Sequence, residues 1–249
     1  MAHNDLQAPA QSRLIIWFLT AVLLIAVVLF AILVMVPSYQ HKQPPASAAA
    51  TATDPPAAPN TTTPPVDSSD LPADATPTTA PPGVAWQLVG QVAVPASAVA
   101  GPNRVNAGRA SGYAQNPVGA LIAAAQLSTR AGYSAGRSNW EPTLLQQTVA
   151  STDRDALLTF LRSANASGVP QAGPGELSQI AGFRFYSYTP AVATVGLVRR
   201  TPAGAYSITT LTVRWLDGDW KLLAPPGGSW PAVTTPLLDL GGVAAWGAS

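Results

Sequence analysis

No cysteine occurs anywhere in the 249 residues. Disulfides, thiolate metal sites and cysteine nucleophiles are therefore excluded. There are two histidines, His3 and His41, which flank an apolar run near the N-terminus. A Ser-His-Asp triad or a histidine-ligated metal site has no material beyond residue 41. Lysine is nearly absent as well, at Lys42 and Lys221. Charged residues make up 10% of the chain, against roughly 25% in ordinary soluble domains. A net charge of +1 sets up no large electrostatic field. Gly-rich phosphate loops of the G-x-G-x-x-G or G-x-x-x-x-G-K-[ST] kind do not occur either.

What the chain does contain falls into four segments: a short head (1–13), a membrane span (14–36), a linker (37–83) and a folded domain (84–249). Leu14–Val36 carries no charge, and seventeen of its 23 residues are Leu, Ile, Val or Phe. As a helix it extends about 34 Å, enough to cross a hydrocarbon core of roughly 30 Å. Trp17 and Tyr39 are placed to anchor its two interfaces. A cleaved signal peptide ending at Ala46-Ser47-Ala48 is the alternative, but the apolar run is longer than a signal core and Pro44-Pro45 intervene. Arg13 and Lys42 nearly balance across the span, while residues 43–83 hold no Lys or Arg. That asymmetry predicts a cytoplasmic N-terminus and an extracytoplasmic C-terminal domain in the cell membrane.

Residues 43–83 hold 11 Pro, 10 Ala and 8 Thr, with Val66 and Leu71 as the large aliphatics. Such a segment buries too little apolar surface to offset its ordering entropy, so it reads as a disordered spacer. Its reach lies between about 35 Å as a coil and about 125 Å extended.

The region from Val84 carries 11 basic and 7 acidic residues and six of the seven tryptophans. Trp86–Val94 reads as one strand. Asn116-Pro117 is a helix start, with Val118, Leu121, Ile122 and Ala125 on one apolar face and Gly132 as the stop. A second short helix is expected near Glu141-Pro142, with Leu144, Leu145 and Val149. A third is expected to be capped by Thr152 with Asp155 reaching back, burying Leu157, Leu158, Phe160, Leu161 and Ala164. The period then changes. Phe183 and Phe185 alternate with Arg184, Tyr186 and Tyr188, and Ala191–Arg200 is a strand. In Tyr206–Trp215 the apolar phase flips near Thr209-Thr210, which predicts a β-bulge. Asp217-Gly218 closes a hairpin onto Trp220–Leu223. The tail after Pro225-Pro226-Gly227-Gly228 reads as irregular. Helices first and antiparallel strands after make the fold class α+β.

The candidate chemistry is sparse. Gly132-Tyr133-Ser134-Ala135-Gly136 matches a nucleophile elbow, but that motif needs a strand before it, a helix after it and a histidine base; a helix before and a loop after are expected. Asp217 and Asp219 fit turn chemistry better than a calcium or acid–base site. Glu141 and Glu176 are the domain's glutamates and give no sign of a glycosidase pair. Lys221 is expected to point outward between Trp220 and Leu222. Arg199-Arg200 reads as a solvated strand end, and with basic residues otherwise scattered no direct nucleic-acid binding is expected. The aromatics Phe183, Phe185, Tyr186, Tyr188, Trp215 and Trp220 are expected to be core. No catalytic, cofactor-binding or metal-binding residue is assigned, and no cofactor.

Leu211–Trp215, Asp217–Trp220 and Lys221–Leu223 resemble the closing hairpin of nuclear-transport-factor-like cone domains. The stretch Ser111-Gly112-Tyr113-Ala114-Gln115-Asn116-Pro117-Val118-Gly119-Ala120 is similar to that of uncharacterised single-pass membrane proteins of actinobacterial conjugative elements. The resemblance implies a few helices packed on a curved antiparallel sheet. It also implies a non-catalytic scaffold or assembly component of a conjugation or type IV secretion-like envelope apparatus. The partners would then be the lipid bilayer and membrane proteins or further copies of this chain. The alternative is an extracytoplasmic module binding a small apolar ligand, for example an accessory of a lipid importer, and a third reading is an exported enzyme.

Overall fold

The computed structural model describes residues 75–248. The expected membrane span 14–36 and the linker up to residue 74 lie outside the described residues. Among the described residues no helix is long and apolar enough to cross a membrane.

The domain is α+β, with three α-helices and a curved antiparallel sheet. The chain opens with a hairpin, β1 (Val84–Val89) and β2 (Val92–Ser97), and a second small hairpin, β3 (Arg104–Asn106) and β4 (Arg109–Ser111). The helices follow: α1 (Pro117–Arg130), α2 (Arg137–Gln146) and α3 (Thr152–Ala166). The main sheet is built from β5 (Gln179–Tyr188), β6 (Val192–Arg200), β7 (Tyr206–Leu216) and β8 (Asp219–Leu222). Two tail strands complete it, β9 (Thr234–Leu237) and β10 (Ala244–Ala245). The sheet order is β10-β5-β6-β7-β8, and β9 shares the outer edge of β7 with β8.

Local chemistry sets these elements. Asn116 caps α1, its Oδ1 accepting from Gly119 N at 2.7 Å, and Pro117 occupies the first turn. Helix α1 is buried on nearly every side, not on one face. It sits between the sheet and the β1–β2 hairpin, with Leu121, Ile122, Ala125 and Leu127 fully enclosed. Gly119 lets the loop before the helix close onto its first turn, because a Cβ there would stand 2.0 Å from Ala114 O. On the sheet's inner face Phe183, Ala193, Val195, Leu197, Leu211, Val213, Trp220 and Leu222 meet α1 in one core.

Several details differ from the sequence expectations. Trp86–Val94 is not one strand but the body of the β1–β2 hairpin, turned at Gly90 with φ +59. Helix α2 starts at Arg137 and carries Pro142 inside it, with Leu144 buried and Leu145 exposed. Ser151, not Thr152, caps α3, accepting from Arg154 N at 3.1 Å. Asp155 pairs with Arg154 instead of reaching back. Leu157, Leu158 and Leu161 are buried as expected, but Phe160 is 65% exposed.

The bulge lies elsewhere too. β7 pairs with β6 in unbroken register from Tyr206 to Arg214. Its apolar phase flips because both faces are covered at that end. Leu211 and Val213 face α1, while Ile208 packs on the outer face beside Gly196 and Tyr186. The irregularities are in β5, between Ile180 and Gly182 and between Phe185 and Ser187. The second brings Tyr188 opposite Ala193, onto the same face as Phe185, and bends the strand.

The tail is not irregular. It returns to both edges of the sheet through β9 and β10, and it buries Trp246 edge-on against Trp86 (5.2 Å) and Phe183 (5.3 Å).

Candidate functional site

The residues singled out in the sequence occupy structural positions. Asp219 is buried and accepts four hydrogen bonds, from Gly112 N (3.0 Å), Tyr113 N (3.1 Å), Gln147 Nε2 (3.0 Å) and Trp220 N (3.0 Å). It pins the loop after β4 and the end of α2 to the start of β8, a larger role than turn chemistry predicts. Asp217 is exposed at the hairpin tip and pairs with Lys221, which alternates outward between buried Trp220 and Leu222.

Glu141 pairs with Arg137 on its own helix (2.7 Å) and bridges α2 to α3 through Arg162 (2.8 Å). Those hydrogen bonds, Arg137 first, hold its carboxyl below the usual glutamate value. Glu176 accepts from Gly173 N in the loop before β5, a different part of the fold. Phe183 and Trp220 are core, while Tyr186 is exposed with Arg184 over its ring. Ser134 of the elbow-like motif lies in a single 3-10 turn, Tyr133–Ala135, with α1 before it. Helix α2 follows directly, where a loop was expected.

Buried Arg130 has no carboxylate partner among the described residues. It donates to Gln126 Oε1, Gly108 O and Asn139 Oδ1, each at 2.9 Å. Burial lowers its pKa, and every bond it makes goes to a neutral acceptor; those to Gly108 and Asn139 tie α1 to the β3–β4 turn and to α2. Tyr113 is enclosed beside it, and burial pushes its phenol up and keeps it neutral.

A cleft of about 320 Å³ opens where the inner face of the sheet runs past the C-terminal end of α1. Its floor is Arg199 on β6 with Ser207 and Thr209 on β7, and α1 contributes Ser128 and Thr129. Tyr133–Ala135, Leu177 and Trp230 wall it, and the β1–β2 turn closes it with Val89 and Val92. Gln179 fastens that turn, accepting from Ala93 N (3.0 Å) and donating to Gln91 O (3.0 Å). Tyr133 is fixed by donating to Val169 O at 2.7 Å. The other hollows include smaller ones of about 280 and 260 Å³ and wider, more open ones of about 630 and 640 Å³.

Strand alternation explains why polar groups face inward here. Ala193, Val195 and Leu197 point at α1, and the next residue in phase is Arg199; Val213 and Leu211 likewise give way to Thr209 and Ser207. Arg199 is thus not the solvated strand end expected of the doublet; that description suits Arg200, which is exposed over the Tyr206 ring. The Arg199 guanidinium donates to Thr129 Oγ1 at 2.8 Å, and no carboxylate pairs with it among the described residues. It is half-buried and lines the cleft. Desolvation pushes its pKa down to about 10, a direction that costs the charged form stability. Nearby, Thr209 and Thr234 place their hydroxyls 2.9 Å apart, and Thr234 donates to Trp230 O. Trp230 Nε1 is buried with no acceptor. Trp230, assigned to an irregular tail from sequence, was not expected to line a site.

Fold and cleft together define an α+β domain with a donor-lined pocket at one end of its sheet. Residues 43–245 match the model of the family described as a domain of unknown function, DUF8175, and the chain belongs to that family. No curated protein and no solved structure matches it.

Proposed function

We propose that the domain is a non-catalytic binding module for a small ligand, held outside the cell membrane by the span at 14–36 and the Pro/Thr/Ala-rich linker. The observation that carries this reading is the cleft. Its volume of about 320 Å³ lies at the low end of small-molecule sites, which run roughly 300–1,000 Å³. Its lining mixes apolar walls with a few converging polar groups, as such sites do. The centre of the domain is filled by Phe183, Trp140 and Trp220, so a long acyl chain has no room there. Helices ahead of a bent antiparallel sheet support the further proposal that the domain is nuclear-transport-factor-like.

The test is saturation-transfer NMR on the full chain in lipid nanodiscs with a mixed set of small aromatic and aliphatic compounds. Several compounds are expected to bind and to lose their signal when Ser134→Trp fills the cleft. Failure to find any compound sensitive to that substitution contradicts the reading.

A second reading, a scaffold of a conjugation or secretion-like envelope apparatus, draws on exposed apolar side chains. Phe160 on α3, Leu145 on α2 and Leu238 in the tail are all open to solvent. Cross-linking of the full chain in its membrane separates the two. Adducts with other membrane proteins that vanish in Phe160→Ser support the scaffold, and their absence leaves the binding module.

A further inference from the structure

Resting on the binding-module reading, we infer that the cleft recognises the carboxylate of a small organic acid, with Arg199 as the residue that grips it. The cleft holds a cation that the fold leaves without a counter-charge: Arg199 is paired to a single hydroxyl, Thr129 Oγ1 at 2.8 Å, and no aspartate or glutamate lines the walls. Burying an unpaired charge is unfavourable, and folds that gain nothing from it replace it with an apolar residue. The neighbouring β6 positions on this face are Leu197 and Val195, so an aliphatic side chain suits the strand.

The polar groups around Arg199 point to the same ligand chemistry. Ser207 and Ser134 bring hydroxyls to the cleft, while those of Ser128 and Thr209 are held by Ala125 O and Thr234 Oγ1. The lining offers donors beside Arg199 and has no anionic acceptor. A planar guanidinium grips a planar carboxylate through two parallel hydrogen bonds, which favours an organic acid over a spherical anion. Val89, Val92, Ala135, Leu177 and the faces of Tyr133 and Trp230 then pack the body of that acid.

Arg130 offers a contrast within the same molecule. It is more deeply buried and also without a carboxylate, but three protein acceptors hold its Nε and Nη1 and it does not line this cleft. Arg199 is the arginine of this cleft, and apart from its bond to Thr129 its donors are left for a ligand.

The experiment is calorimetric titration of the full chain in detergent with benzoate and hexanoate, with their neutral counterparts benzamide and hexanamide, and with inorganic phosphate. The same titrations are run on Arg199→Met, and thermal unfolding is recorded for both proteins. At least one carboxylate is expected to bind at least about tenfold more tightly than its amide, and Arg199→Met is expected to erase that preference. Met in place of Arg199 is also expected to leave the unliganded protein no less heat-stable, because it removes a desolvated charge.

Amides binding as well as acids, with Arg199→Met unchanged, overturns the assignment to Arg199 and leaves the cleft as a neutral-ligand site. Phosphate binding in place of the carboxylates overturns the organic-acid class. Binding of nothing overturns both this inference and the module reading. A large loss of heat stability in Arg199→Met overturns the claim that the charge is kept for a ligand. Thr129→Val then serves as the second variant, since it releases the guanidinium without removing it and is expected to weaken carboxylate binding severalfold.

Discussion

Replacing Asp219 with alanine tests whether this carboxylate organises the domain or only shapes a hairpin. Its two oxygens accept from Gly112 N, Tyr113 N, Gln147 Nε2 and Trp220 N. Gln147 Nε2 retains Ala110 O at 2.7 Å, so the donors most severely orphaned are the two consecutive amides of the loop after β4. An unsatisfied buried donor costs about 1–3 kcal/mol, which puts the total at about 4 kcal/mol. With a urea slope of about 2 kcal/mol/M, the unfolding midpoint falls by about 2 M. Tryptophan fluorescence of the full chain in urea is a suitable assay, because six of the seven tryptophans lie in the domain. Asp217→Ala is the internal control: its pair with Lys221 is exposed, and its loss changes stability by less than about 1 kcal/mol. If the two substitutions cost the same, Asp219 is turn chemistry and the four-donor argument is wrong.

Other consequences follow from single residues. Ser151→Ala removes the α3 cap and costs about 1 kcal/mol in urea unfolding, whereas Thr152→Ala costs little; equal effects contradict the assigned cap. Gly228 has φ +70 and would place a Cβ 2.4 Å from Leu157 N, so Gly228→Ala should lower stability by more than about 1 kcal/mol by the same assay. Trp246→Ala empties the space between Trp86 and Phe183 and should cost about 3–5 kcal/mol; a smaller loss means the tail is not part of the core. Glu141 has its pKa depressed by Arg137 and Arg162, so its contribution is present above the ordinary glutamate value of 4.5 and fades as pH falls through the lower folded value. Urea midpoints across that range should fall less in Glu141→Gln than in the parent.

Much of the fold can be read from local signals. Asn116-Pro117 announces α1, the Asp217-Gly218 pair has positive φ at both residues as a tight hairpin needs, and the order of helices before strands gives the class. The errors arise where tertiary cover overrides period. Tyr206–Trp215 shows a phase flip that two covered faces produce as well as a bulge does, and only the pairing with β6 separates them. The tail has no periodicity because β9 and β10 are four and two residues long.

The cleft was half legible. The alternation of Ala193, Val195 and Leu197 already places Arg199 on the inner face, so the doublet could have been split into one inward and one outward arginine. That Trp230 and Ser128 join Arg199 across the fold is a matter of long-range packing that no local spacing encodes. The elbow-like motif drew attention to Gly132–Gly136 for a catalytic reason its context does not support, yet four of its five residues wall the cleft.

The central claim, a cleft built around Arg199, is tested most directly by the side-chain N–H signals of tryptophan and arginine in a ¹H–¹⁵N spectrum during a benzoate titration. The Trp230 indole and Arg199 guanidinium signals should move together and saturate, while those of Trp140 and Trp220 in the closed core stay where they are. Shifts spread evenly over all the tryptophans, or a Trp230 signal that never moves, would contradict it.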